Sequence, residues 1–189
     1  MKIIDIVGYT PKREDVIFID TNIWMYLFCP IGEYKKEIIK KYERFLEKLI
    51  KVNSKIFISS LTLSEFCNAY LRLEFNILKE RESEKYKDFK KDYRGTDEYK
   101  NTVKVISATI RSQILKMTER INDGFETVDI VSILDSLNEV DFNDSYYHKI
   151  AETKNYKVLT DDLDFAAHNS NIELLTSNPR ILSLQKHKN

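Results

Sequence analysis

The chain is short of punctuation. It has four glycines and three prolines in 189 residues, which leaves little room for long irregular loops and favours helices with short connections. It has two cysteines, Cys29 and Cys67, in apolar surroundings and far apart. That excludes a disulfide framework and a close-spaced thiolate motif, so free buried thiols in a reducing compartment are expected. Its three histidines, His148, His168 and His187, are scattered and build no soft metal site. The longest apolar run, Ile23 to Cys29, is far below the roughly 18 residues of a membrane span. The start, Met1-Lys2-Ile3-Ile4-Asp5, carries an acid where a signal peptide would be apolar. A cytoplasmic location with no membrane contact is the expectation. Net charge is lacking too: Lys plus Arg and Asp plus Glu are each 30. A nucleic-acid partner would have to be met by a local basic surface, since acids elsewhere cancel basic residues in the sum.

What is present fits a soluble globular protein, 42% hydrophobic and 32% charged. At this length one domain over residues 1–189 is expected. Val16-Ile17-Phe18-Ile19, ending in Asp20, is a continuous apolar run of the kind that strands covered on both faces show. Ile23 to Cys29 follows as a helix with Asn22 as its cap and Pro30 as its stop. A charged helix with an apolar stripe runs from about Tyr34 to Val52. Ile56-Phe57-Ile58 reads as a second strand, with Ser60 or Thr62 capping the next helix. That helix continues through Lys79–Arg94 to a break at Gly95, and a second arm runs from Thr96 to about Asn122. Phe125–Val131 is expected to be a third strand, followed by a short helix near Ile133–Val140. Asp144 opens a helix to Thr153, Lys157–Thr160 is a fourth strand, and Ile172–Leu175 a fifth. The strand–helix alternation predicts an α/β fold with a central parallel sheet.

That topology sends four acids to one place. Asp20 ends the first strand and Asp162 lies just past the fourth. Glu65 falls in the first turn of the helix after the second strand, and Asp144 at the start of the helix leading to the fourth. All four are expected at the carboxyl edge, where open α/β sheets bind ligands. Clustered carboxylates raise each other's pKa and cost stability unless a positive group joins them. An all-oxygen donor set selects hard cations, so Mg²⁺ or Mn²⁺ is expected. Such ions hydrolyse phosphodiesters by activating water and neutralising phosphate.

Each acid also has a plainer reading. Asp20-Thr21-Asn22 and Asp144 are favoured helix caps, Glu65 alone suits a solvated helix face, and Asp141 rivals Asp144. Asp161 rivals Asp162, but alternation along an extended segment puts Thr160 and Asp162 on one face with Asp161 opposite. Between Lys79 and Lys100 eight basic residues face seven acids, which suits a solvated helix. From Lys100 to Arg120 the balance is five to one. Lys104, Arg111, Lys116 and Arg120 are expected to line a groove for a nucleic-acid backbone. The stripe Val103, Ile106, Ile110, Ile114, Met117 suits core packing, with a homodimer contact or a docking groove for a partner protein as the alternative.

The segments Val16–Asn22, Ser64-Glu65-Phe66, Asn143-Asp144-Ser145 and Leu159–Phe165 resemble the ordered motifs of PIN-domain ribonucleases, including the Thr-x-Asp-x-Asp-Phe ending. The resemblance covers most of the chain except the stretch from about Asn76 to Arg120. It implies a PIN-like three-layer α/β sandwich with a helical hairpin insertion at about 76–122. It also implies a metal-dependent endoribonuclease acting on RNA, often the VapC-like toxin of a toxin–antitoxin pair, with a protein antitoxin as partner. By motif position Asp20, Glu65 and Asp144 carry over as the main metal ligands, with Asp162 as the fourth and Asp164 as a helper. Asn22 and Thr160 carry over as groups that orient carboxylates or water. Two rivals are a PIN-like module that binds RNA or protein without cutting, and a haloacid-dehalogenase-like phosphatase. The second wants an acid two residues after the nucleophilic Asp, and position 22 is Asn.

Overall fold

The computed structural model describes residues 1–167 and 171–186, so His168 and His187 lie outside the described residues. The apolar runs form strands β1 (Lys2–Asp5), β2 (Val16–Ile19), β3 (Lys55–Ile58), β4 (Glu119–Arg120), β5 (Lys157–Leu159) and β6 (Glu173–Thr176). Among the described residues they make one six-stranded sheet in the order β1-β6-β5-β2-β3-β4, with every pairing parallel. The helices are α1 (Thr21–Phe28), α2 (Lys36–Lys51), α3 (Ser60–Arg81), α4 (Asp97–Thr109), α5 (Leu115–Met117), α6 (Ile130–Asp135), α7 (Phe142–Lys154), α8 (Leu163–Ala167) and α9 (Pro179–Lys186).

Successive strand residues point to opposite faces, and here both faces are covered. On one side Ile17, Ile19, Leu159 and Leu175 pack with Trp24, Tyr42, Phe45 and Phe66. On the other, Phe18, Val158 and Leu174 pack with Tyr147, Phe165 and Ile181. That is why β2 and β5 read as unbroken apolar runs rather than alternating ones. The stripe on α4 and its continuation also turns inward: Ile106 and Ile114 are buried in the first of these layers, with Ile110 and Met117 against it. Core packing is therefore its use.

Several boundaries differ from the sequence expectation, each for a local reason. β1 has no counterpart in the sequence pattern; it is a short edge strand with only Ile3 buried. The strand expected at Phe125–Val131 is instead a turn after Gly124 (φ 66°) leading into α6. The edge of the sheet beyond β3 is taken by β4, in register with Phe57 and Ile58, so the later segment has no strand to pair with. α3 stops at Arg81 because Tyr86, Phe89 and Tyr93 fold back onto Phe75 and Leu78 as a separate aromatic cluster. A π-helical turn, Phe89–Tyr93, follows Asp88, whose side chain accepts from the Lys90 and Lys91 amides. The last helix of the arm ends at Met117.

Candidate metal centre

β2 and β5 are neighbours, so the residues that follow them emerge side by side. Asp20 leaves β2 with its amide still in the ladder, donating to the Leu159 carbonyl at 3.0 Å. Its backbone caps α1, the carbonyl accepting from the Ile23 amide at 3.1 Å, but its side chain makes no capping bond. The carboxylate is turned to Thr160 instead, whose hydroxyl donates to Oδ2 at 2.6 Å. The Asn22 side-chain amide donates to the same oxygen at 2.7 Å. Asp20 is buried, and a buried charge at a helix start that spends its carboxylate elsewhere is not there as a cap.

Glu65 lies in the second turn of α3, not the first as the sequence suggests, because Ser59 is the cap and accepts from the Thr62 amide. Its carboxylate is gripped from two other elements. The Thr21 hydroxyl and the Tyr147 phenol each donate to Oε2 at 2.7 Å, and the Asn143 side-chain amide donates to Oε1. Sequence reasoning misses Thr21, Asn143 and Tyr147. Thr21 and Asn143 lie inside the motifs beside Asp20 and Asp144, which is the signal that could have found them; Tyr147 has none.

Asp141, not Asp144, caps α7, accepting from the Asn143 backbone amide. Asp144 sits in the first turn of that helix, half-buried, and among the described residues nothing donates to its carboxylate. Asp162 accepts from the Asp164 amide at 2.9 Å, while its own amide donates to the Thr160 hydroxyl at 3.0 Å. Asp164 is exposed in the first turn of α8. Asp161 turns the other way, accepting from Tyr42 at 2.6 Å and Tyr26 at 3.1 Å.

The electrostatics show which acids share a field. Burial is the main cause that raises Asp20 to about 6; the Thr160 hydroxyl and the Thr21 backbone amide oppose it, while Asp162 and Glu65 add to it. Asp144 is raised to about 7, first by burial and then by Asp20, Asp162, Asp141 and Glu65. Asp162 and Glu65 thus both act on Asp20 and Asp144 at this edge, and a divalent cation is the species that turns such repulsion into attraction. The donor set is all oxygen, which fits Mg²⁺ or Mn²⁺. Among the described residues, however, no three His, Cys, Asp or Glu side chains are placed to grasp a single ion as they stand. The acids lie within electrostatic reach of each other, not yet at ligating distance of a common point.

The four basic residues expected to form one groove are dispersed. Arg120 pairs in register with Ile58, the last residue of β3, and so lies at the acid edge. Lys116 lines a cavity with Asn53, Ser54 and Lys55, where β3 begins, which is the opposite edge. Lys104 and Arg111 are exposed on α4 and the π-helical segment Ile110–Ile114. Because α4 packs on α3 beside residues Tyr70 to Arg81, the arm lies along the part of α3 remote from Glu65. The sequence shows the charge bias of this stretch but not the direction in which the arm projects.

No helix among the described residues is long and apolar enough to cross a membrane. The solved structures that resemble this one in fold include VapBC2 and FitAcB. VapBC2 from Rickettsia felis, bound to a DNA fragment from its promoter, is 17% identical, with 85% of this chain and 98% of that one covered and a TM-score of 0.49. FitAcB from Neisseria gonorrhoeae is 16% identical, with 84% and 96% covered and a TM-score of 0.48. No curated protein matches the sequence. The profile of the PIN domain matches residues 17–171. That span runs from β2 through α8 and takes in all four acids, and on that ground the chain belongs to the PIN domain family.

Proposed function

We propose that this protein is a divalent-metal-dependent endoribonuclease, a single PIN-like domain carrying a helical arm at about 76–122. The observation that carries the reading is the gathering of four acids at the carboxyl edge, Asp20 held by Thr160, Glu65 by Thr21 and Tyr147, and Asp144 and Asp162 beside them. There burial first and the neighbouring acids second raise Asp20 and Asp144. Asp20, Glu65, Asp144 and Asp162 would hold Mg²⁺ or Mn²⁺, with Asp164 as a helper. When bound, the ion would supply charge neutralisation at the phosphate and an activated water.

The chain's own residues prepare for that. Thr160 and Asn22 fix one oxygen of Asp20 and leave the other for a ligand. Thr21, Tyr147 and Asn143 hold Glu65 in one orientation, so little conformational freedom is left to lose on binding. Asp144, with no donor of its own among the described residues, is the carboxylate with most to gain. Arg120 stands at the same edge and would meet the backbone of an RNA strand.

The test is cleavage of defined single-stranded RNAs with Mn²⁺, with Mg²⁺ and with EDTA. Wild-type protein should cut only with metal, and Asp20→Asn and Glu65→Gln should each abolish cutting. Cutting that survives EDTA, or survives both substitutions, overturns the reading. A second reading, a PIN domain that binds RNA or protein without cutting, has one observation behind it: no ready-made trio of ligands among the described residues. It gains if folded protein binds RNA but cuts none with either metal. A toxin role with an antitoxin partner is the biological form of the first reading. A small DNA-binding protein encoded beside this gene, which copurifies and suppresses cutting, would support it.

A further inference from the structure

The acids occupy the carboxyl edge of the sheet; unpaired cations gather at the opposite one. The loop before β2 carries Arg13, β3 opens with Lys55, and Lys116 precedes β4. Together they line a cavity of about 430 Å³ whose apolar members include Ile50 and Met117. The walls are built rather than draped. Ser54 donates its hydroxyl to the Lys12 carbonyl at 2.7 Å, and the Lys55 amide donates to the Asp15 carbonyl at 3.0 Å. These bonds fasten the Arg13 loop to the start of β3.

Several other charges near this edge are matched. Lys157 pairs with Asp15 and Glu173, Lys2 with Glu173, and Lys12 with Glu14. Asp15 is also committed to Tyr9 and to the Lys12 amide, each at 2.8 Å. Among the described residues Arg13, Lys55 and Lys116 have no ion-pair partner, and Glu119 is the one acid in the lining. Three cations around a space of nucleotide size, with Ile50, Ile56, Met117 and Asn53 also in its lining, suit a phosphate with a base laid beside it.

We propose that this groove is a second contact for single-stranded RNA, holding a phosphate several nucleotides away from the bond that is cut. The path is short, because β4 is an edge strand only two residues long. Arg120 stands at its acid end and Lys116 just before its other end. A strand lying along β4 would therefore run from the acids to the groove. The proposal rests on the ribonuclease reading for the identity of the strand.

The test separates the two. Binding of a fluorescein-labelled twelve-nucleotide RNA is measured by anisotropy in EDTA, so that no cleavage is involved. The exposed pair Arg13→Ala/Lys55→Ala should weaken binding about tenfold at low salt and flatten the salt dependence by roughly 0.7 in slope for each phosphate no longer neutralised. A control that removes equal charge from the arm, Lys87→Ala/Lys90→Ala, should bind like wild type, and melting curves establish that both variants fold. Unchanged affinity in the groove variant overturns the proposal, as does an equal loss in the control, which would mean bulk charge alone. Absence of cleavage with Mn²⁺ would sink the ribonuclease reading while leaving this binding result intact.

Discussion

The hydroxyl of Thr160 lies 2.6 Å from the carboxylate of Asp20, joining the ends of two neighbouring strands across 140 residues of chain. Thr160 is fully buried and also accepts from the Asp162 amide, so one hydroxyl sets the placement of two of the four acids. Thr160→Val keeps the shape and removes this atom. The bond favours the ionised form of Asp20, so its loss should destabilise the protein by about 1.5–3 kcal/mol at pH 8. The loss should be smaller at pH 5, where Asp20 is largely protonated. Urea denaturation at the two pH values checks this, with Thr160→Ser as the variant that retains the bond. An equal loss at both values would point to packing instead.

The raised acids make the metal-free protein sensitive to pH in a definite direction. Asp20 at about 6 and Asp144 at about 7 both lie above the usual 3.8. The folded state therefore holds protons that the unfolded state has released. Stability from these groups is greatest near and below pH 3.8. It falls as pH rises through about 6 and 7, and the penalty is complete above that. For buried Asp20 alone it is on the order of 3 kcal/mol. In EDTA the melting temperature should rise between pH 8 and pH 5.5, and Asp144→Asn should be more stable than wild type at pH 8. Added Mn²⁺ should stabilise wild type more at pH 8 than at pH 5.5. Destabilisation by Asp144→Asn at pH 8 would sink the idea of a repulsive cleft.

How far this site is legible in the sequence depends on what kind of bond makes it. Asp20 and Asp162 follow apolar runs, and a parallel sheet aligns the ends of such runs whatever the side chains do, so topology alone brings them together. Thr160, Asp161 and Asp162 are separable because an extended segment alternates. Tyr147 is not legible: on α7 it reads as one more apolar-face aromatic, and only the packing of α7 against α3 brings its phenol to Glu65. β4 escapes notice because it is two exposed charged residues, and β1 because only Ile3 is buried, between an exposed Lys2 and Asp5. The strand expected at Phe125–Val131 has the right pattern but no partner, and pairing is a property of the whole sheet.

Tyr147 offers the sharpest test of how Glu65 is held. Its ring lies 4.7 Å from that of Phe18, and its hydroxyl donates to Glu65 while accepting from Thr62 at 3.3 Å. Tyr147→Phe keeps the ring packing and removes one of the three donors to Glu65. Groups that orient metal ligands are typically worth 10–100-fold in affinity, so Mn²⁺ binding, read from the spin-resonance signal of the free ion, should weaken about tenfold. The melting temperature in EDTA should move only slightly. A large fall in melting temperature with unchanged Mn²⁺ affinity would make Tyr147 a core residue and nothing more.

Adjacent acids should give opposite results. Asp161 and Asp162 differ by one position, yet Asp161 accepts from Tyr42 and Tyr26, while Asp162 raises the pKa of both Asp20 and Asp144. Tyr42 is fully buried, and its hydroxyl also accepts from the Ser177 amide at 3.1 Å. Asp161 thus ties α1 and α2 to the segment after β5, Tyr42 carries the tie on to the loop after β6, and Asp161→Ala removes the shortest acceptor of a buried phenol. The expected cost is about 1–3 kcal/mol of stability, with little change in Mn²⁺ affinity for the folded fraction. Asp162→Asn removes a repelling charge from the cleft. It should preserve or raise the metal-free melting temperature at pH 8 while weakening Mn²⁺ binding at least tenfold. Denaturation curves paired with metal titrations on both variants decide the assignment. If Asp161→Ala were instead the variant that loses metal, the acids at this sheet edge would have to be reassigned, because the same extended segment cannot turn both carboxylates into one cleft.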